Sequence, residues 1–310
     1  MKDNTKKRKK IGAKNETIFL VSILAYPMLL FAIFYLGVNF NSILLAFQKI
    51  DVDYNYHFAG FENFAKVFAD LAGDATLRMA VGNSIKIFFL TLGIGMPLEI
   101  LFSFYLFKKN MAHKTIRFMV MLPSIVSGMI MCLIFKRFVE QALPNMMTLL
   151  FGTEIPNLLS NKDTVFGTVV FYMLWTGFSS SLILYPNAMN GINNSVIESA
   201  HMDGCNNFQE LWYIVLPLIL PTITTFVVTG ISGILMLSGP LLAFWYYDAP
   251  IETYTSGYYL FALVMRTGST VHNYPYASAI GIVFTLFTIP VTFLVKYLLE
   301  RLDPTIEKVK

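Results

Sequence analysis

The stretch PNAMNGINNSVIESAHMDGCNNFQELWYIVLP, residues 186–217, decides how the rest of the chain is read. It is a polar interval between two long uncharged tracts, and residues 186–212 hold no Lys or Arg. Ser195 followed three residues on by Glu198 has the spacing of a capping box, in which the Ser oxygen takes the N3 amide and the Glu reaches back to the cap amide. That spacing predicts a helix starting at 195. Gly204 supplies the left-handed residue that closes such a helix after about two turns, and Asn206 with Gln209 provides a second start of the same kind. The result is a short helix, a glycine turn and another helix running into apolar sequence. The first helix offers Val196, Ile197, Ala200 and Met202 beside Glu198 and Asp203. A helix this short is unstable alone and needs something to dock into. Lipid headgroups are one such surface, but helices lying on them carry Lys and Arg on the polar face, and this one has none.

Outward from that stretch, the composition is that of a membrane protein. Of 310 residues 55% are hydrophobic and 14% charged, against about 25% charged in a soluble domain. With 28 Phe, 16 Tyr and 16 Met, a soluble globule, a disordered chain and a nucleic-acid binder are all excluded. A helix needs about 20 apolar residues to cross a hydrocarbon core about 30 Å thick. Six stretches qualify, at 17–40, 84–107, 115–136, 164–185, 213–238 and 277–299. The expected fold is therefore an all-α integral membrane protein with six transmembrane helices. Seven basic residues (Lys2, Lys6, Lys7, Arg8, Lys9, Lys10, Lys14) crowd the first 14 positions. With both termini cytoplasmic, the inner side carries fifteen of the 23 Lys and Arg and the outer side eight, as the positive-inside rule requires. The basic start and the uncharged run after it resemble a signal peptide. The run is too long for one and lacks a small-residue cleavage site, so it reads as a retained first helix.

The expected organisation is a basic cytoplasmic tail (1–16), a first transmembrane helix (17–40), an extracytoplasmic segment (41–83), a transmembrane core (84–299) that includes the loop 187–217, and a cytoplasmic tail (300–310). Residues 144–152 read as a short external helix. The aromatic-rich segment 239–276 reads as an extracytoplasmic surface facing a partner, or as an interfacial belt. Two cysteines, Cys132 and Cys205, make no disulfide framework.

Glu198, Ala200, Asp203, Gly204, Ile214, Leu216 and Pro217 match the EAA motif of permease subunits of binding-protein-dependent ABC importers, and the chain resembles that family over most of its length. Ser199 and Cys205 stand where alanines are usual, and both replacements are small. Gly60-Phe61-Glu62-Asn63-Phe64 resembles the Gly-Leu-Asp-Asn-Tyr element outside span one of the carbohydrate (maltose-like) type. Gly82-Asn83-Ser84 resembles the Asn-Thr that opens span two, and Leu122-Pro123 fits span three. The short charged tail resembles the first of the two paired permeases.

The resemblance implies a type I importer permease in a prokaryotic plasma membrane. Its partners would be a second permease in a heterodimer, two ABC ATPase subunits, an extracytoplasmic solute-binding protein and a small carbohydrate. The EAA loop would be the coupling helix in a cleft of the ATPase, with Glu198, Ala200, Asp203 and Gly204 transmitting force. ATP and Mg would be bound by the ATPase, with no cofactor in this chain. No Gly precedes a Lys, so no P-loop of the GxxxxGK type exists here. There is no His-Glu-x-x-His and no Cys-x-x-Cys, and His57, His113, His201 and His272 are scattered, so neither an enzyme nor a metal site is expected.

The alternative from another class is an ion-coupled secondary transporter or channel, which places ionisable residues near the midplane. Only Glu99 qualifies, and a carboxylate hydrogen-bonded at a subunit or helix interface is the preferred account of it over a proton relay. A membrane receptor or scaffold leaves the coupling loop unexplained. Sugars are held by aromatic faces and by hydroxyl and carbonyl groups in an otherwise apolar site. Span four places Tyr172, Trp175 and Ser179 at helical spacing, and span five places Ser232 and Met236. These are the candidate pathway residues, although the same spacing also serves ordinary helix packing.

Overall fold

The computed structural model describes residues 18–266 and 271–302. The basic block at Lys2–Lys14 and Lys308 and Lys310 of the tail lie outside the described residues. The chain falls into two compact units, residues 1–67 with 270–282, and residues 68–269 with 283–310.

In the first unit, helix α1 runs unbroken from Ile18 to Ala46, six residues past its expected end. It stops at Phe47, and a short antiparallel hairpin follows, β1 (Gln48–Ile50) against β2 (Tyr56–Phe58), with Lys49 opposite His57. The Gly-Phe-Glu-Asn-Phe element explains itself here. Gly60 takes φ +58° at the turn into helix α2 (Glu62–Gly73), and Asn63, buried, donates its amide to the carbonyls of Ala46 and Gln48 at 2.9 and 2.8 Å. Phe61 and Phe64 pack their rings against Phe47. One side chain thereby ties the end of α1 to the hairpin.

The second unit begins with α3 (Ala75–Phe107), capped by Asp74, whose carboxylate accepts from the Thr76 amide at 2.7 Å. Next come α4 (His113–Ile125), α5 (Gly128–Phe151), α6 (Lys162–Asn190), α7 (Asn194–Met202), α8 (Asn207–Leu218) and α9 (Leu220–Met236). Short helices α10 (Leu241–Trp245) and α11 (Ser256–Met265) precede α12 (Tyr274–Arg301), which starts in the first unit.

Helices α1, α3, α6 and α12 are each long and apolar enough to cross a membrane, and two bent pairs, α4 with α5 and α8 with α9, make up to six crossings. The third span was expected as one straight helix over 115–136. It is instead bent by 102° at residues 126–127, where Val126 and Ser127 are extended, three residues after Pro123. The separate external helix expected at 144–152 is the continuation of α5. The fifth span bends by 66° at Ile219, between Pro217 and Pro221.

Proline accounts for three of the places where the described helices widen, though not for the π stretch Phe31–Gly37 of α1. Single π turns at Thr91–Gly95, Phe138–Ala142 and Leu211–Val215 are each followed two residues on by a proline, Pro97, Pro144 and Pro217. Proline lacks an amide hydrogen and its ring clashes with the carbonyl four residues back, and a π turn moves that carbonyl aside.

Two buried clusters hold this unit together. In one, Phe135 of α5, Tyr172 of α6 and Phe244 of α10 pack ring to ring at 4.9–6.0 Å, and Cys132 donates its thiol to the Tyr172 hydroxyl at 3.0 Å. Tyr254 and Tyr258 belong to the same core. Part of the aromatic segment 239–276 therefore faces inward rather than forming a surface. The Asn83-Ser84 pair fixes that segment to α3: Asn83 donates to the carbonyls of Glu252 and Tyr254 at 2.9 and 3.0 Å, and Ser84 accepts the Ser256 amide at 2.9 Å. In the other cluster, Ile100 and Phe104 of α3, Tyr185 and Met189 of α6, Leu211 and Val215 of α8, and Ile219 at the bend after it meet.

Candidate functional site

Helix α7 starts one residue earlier than expected. Its N-cap is Asn193, whose carboxamide oxygen accepts the Ser195 amide at 3.0 Å. Asn is as good a cap as Ser. Ser195 lies inside the first turn, its carbonyl accepting from the Ser199 hydroxyl at 2.8 Å, and Glu198 is exposed. The Ser195–Glu198 capping box is therefore not formed. The second start carries the complete box: Asn206 Oδ1 accepts the Gln209 amide at 2.9 Å, and Gln209 Oε1 accepts the Asn206 amide at 3.0 Å.

Between the two helices, Gly204 takes φ +80°. Its amide donates to the His201 carbonyl and that of Cys205 to the Ala200 carbonyl, both at 3.0 Å. This crossed pair satisfies carbonyls that the end of α7 would otherwise leave open. Both ends of α7 and the start of α8 are thus closed from within the segment itself.

The side chains sort onto two sides. Ala200, expected on the exposed face, is buried, and Ile197 is half-buried, so these two fasten α7 to the bundle. Outward lie Val196, Met202 (88% exposed), Phe208, Trp212 and Tyr213, with Glu198 and Asp203 beside them. Phe208 and Trp212 are stacked at 6.2 Å. Large apolar side chains held outward on a fixed scaffold are what a docking surface looks like.

One charged residue of this segment carried no role in the sequence reading. Glu210, in the first turn of α8, has no exposed surface. Its Oε2 accepts from Lys108 Nζ and pairs with His201 Nε2, each at 2.8 Å. The signal was a Glu in a stretch without cations. Its cationic partner Lys108 lies 102 residues away in sequence, beyond reach of local spacing.

The candidate pathway residues do not share one surface. Tyr172 and Ser179 are buried, Tyr172 inside the aromatic core, while Trp175 is exposed on the same helix. Ser232 and Met236 are exposed on α9 and do come together, lining with Phe284, Thr288 and Thr292 of α12 a cavity of about 150 Å³. Glu99, on α3, is buried near Ser181 of α6, whose hydroxyl donates to the Gly177 carbonyl at 3.2 Å. Among the described residues no group of three or more His, Cys, Asp or Glu gathers to hold a metal ion.

Up to six apolar crossings with a closed helix–turn–helix between the fourth and fifth define a multi-pass helical membrane protein. The chain belongs to the family of binding-protein-dependent transport system inner membrane components, whose model matches residues 90–308. It is similar to the multiple sugar-binding transport system permease protein MsmF of Streptococcus mutans, 25% identical over 266 residues that cover 84% of this chain and 88% of the relative. It is also similar to the arabinooligosaccharides transport system permease protein AraP of Bacillus subtilis, 23% identical over 273 residues, 86% of this chain and 84% of the relative. A chain from the crystal structure of a bacterial ABC transporter involved in the import of the acidic polysaccharide alginate shares the fold, with a TM-score of 0.77 at 20% identity, over 94% of this chain and 99% of that one.

Proposed function

We propose that this chain is one permease of an ATP-driven importer for a carbohydrate-type solute, and that residues 187–217 are where a separate ATPase subunit docks. The observation that carries the reading is the α7–α8 segment: a short helix pair, capped from within, with apolar side chains outward, Ala200 buried, and Leu211 and Val215 rooted in the bundle. A rigid appendage of that kind transmits displacement. The carbohydrate class is supported by the names of MsmF and AraP, a multiple sugar-binding and an arabinooligosaccharides permease.

In this reading the termini and the α7–α8 segment are cytoplasmic, following the charge asymmetry of the sequence. A second permease completes the translocation path, and an extracytoplasmic binding protein delivers the solute. Two ATPase subunits bind ATP and Mg outside this chain. Glu198, Asp203 and Gly204 face the ATPase, while Ala200 holds the helix against the bundle. Ser232 and Met236, open on α9, are the best placed of the candidate residues to meet solute, with Trp175 next. Tyr172 and Ser179 shape the wall from within. Closure of the ATPase pair would favour one conformation of the permease through the difference in docking free energy between the two states.

The test is to tag the chain, extract it gently from native membranes and identify its companions by mass spectrometry. Recovery with an ATPase carrying a P-loop and with a second permease is the expected result. A chain that purifies alone and moves solute in liposomes under an ion gradient without ATP would overturn the reading.

A further inference from the structure

A carboxylate taken fully out of water costs several kcal/mol unless partners compensate it. One oxygen of Glu210, Oε2, is compensated by residues from two other elements, while Oε1 is buried with no hydrogen-bond partner among the described residues. Lys108 is the residue that ends α3, and His201 lies in the last turn of α7. Lys108 Nζ is 2.8 Å from Glu210 Oε2 and 3.5 Å from His201 Nε2, so the three side chains form one closed cluster. The carboxylate therefore joins the end of a membrane-crossing helix to both arms of the helix–turn–helix. The apolar cluster of Phe104, Tyr185, Leu211 and Val215 lies under it.

The turn after Lys108 is also held. Lys109 and Ala112 adopt left-handed backbone, at φ +51° and +59°, and the Tyr105 hydroxyl donates to the Met111 carbonyl at 2.7 Å. Left-handed backbone at non-glycine residues is strained and persists only where the surroundings fix it. The α3 end is thus a firm anchor. Stability is a poor reason for such a cluster, because an apolar pair of similar volume is often as stable or more so. A mechanical link is a better one.

We propose that Glu210 is a positioning residue for transport: its pairing with Lys108 and His201 makes the α7–α8 segment and the end of α3 move as one body, so that displacement of the segment reaches the membrane core through α3. This rests on the reading of 187–217 as the coupling segment. Two routes then leave that segment, one along α8 into the bent fifth span and one through Glu210 into the second. Without the charge cluster, the second route keeps only the apolar packing of Ile100 and Phe104 with Leu211 and Val215, and α7 loses its polar tie to α3.

The experiment replaces the charged pair by neutral groups of similar size, Lys108→Met with Glu210→Gln, so that no orphan charge is left to unfold the chain. The full complex, purified through a tag on this chain, is read for ATPase recovered and for solute moved per ATP hydrolysed in proteoliposomes. The expected result is unchanged ATPase recovery with solute per ATP lowered about ten-fold, within the range of coupling free energies between sites. Wild-type stoichiometry in the double variant overturns the link while leaving the coupling segment in place. An unsubstituted chain that recovers no ATPase removes the coupling segment and the link with it, and is recognised because it fails before any substitution.

A second measurement keeps the cluster intact. Spin labels at Asn110→Cys and Asn207→Cys, both exposed positions, are introduced with Cys132→Ser and Cys205→Ser. Their separation should be the same in nucleotide-free and ATP-bound complexes, and a change between the two states overturns the proposal.

Discussion

Gly204 and Gly257 are required for opposite reasons. Around Gly204 a Cβ would meet nothing within 4 Å, so the demand is conformational and comes from φ +80°. A β-branched residue there costs about 1–3 kcal/mol. Gly204→Val should leave the chain in the membrane while solute uptake falls, measured as uptake normalised to chain present. Gly257 has ordinary backbone, but a Cβ would lie 2.4 Å from the Met236 carbonyl oxygen, and its amide donates to the Leu237 carbonyl at 3.0 Å. Backbone cannot yield as a side chain does, so Gly257→Ala is expected to cost about 1–3 kcal/mol as an overpacking change, seen as a lower unfolding midpoint in detergent. Glu99→Gln keeps the size and shape of the side chain and removes the ionisable group. Uptake should persist in that variant, and loss of uptake in a folded chain would favour ion coupling over ATP coupling.

The capped turn around Gly204 is the element whose logic is most local, and most of it was legible in the sequence. Gly204 and the Asn206–Gln209 box follow from residues within reach of one another. The first cap was misplaced because Ser195–Glu198 satisfies the same spacing rule as the cap that forms, and Asn193 stands two residues ahead of it and engages the Ser195 amide first. Asn206→Ala should cost about 1 kcal/mol, read as amide exchange across 207–210 accelerated about five-fold. The long apolar spans were legible from composition, whereas the bends at 126–127 and 219 were not. A hydropathy count registers length and charge, and Pro123, Pro217 and Pro221 change direction without altering either. The inward face of Ala200 and the pairing of Glu210 depend on contacts between α7, α8 and α3, which no window along the chain contains. The same holds for Tyr172: its spacing with Trp175 and Ser179 was correct, but burial against Phe135 and Phe244 is decided by α5 and α10.

At the scale of the whole molecule, the unequal exposure of the two cysteines offers a direct test of orientation. Cys132 is buried in the aromatic core, and Cys205 is partly exposed beside Gly204. A membrane-impermeant thiol reagent added to intact cells should leave Cys205 unmodified, and should label it once the membrane is opened. Labelling of intact cells would invert the topology proposed from the basic residues. Helices such as α1 and α12 present Leu, Phe and Ile over much of their surface, as chains do where hydrocarbon or another subunit takes the place of water. The α7–α8 segment instead sets its apolar outcrop on a polar frame, and its internal caps bear on timing. A loop that must order itself on contact loses productive encounters, because each collision has to wait for the bound shape. Here that ordering entropy is spent when the chain folds, so Phe208, Trp212 and Met202 arrive already arranged. Loosening the turn should therefore slow capture of a partner, whereas trimming those side chains should shorten how long the partner stays.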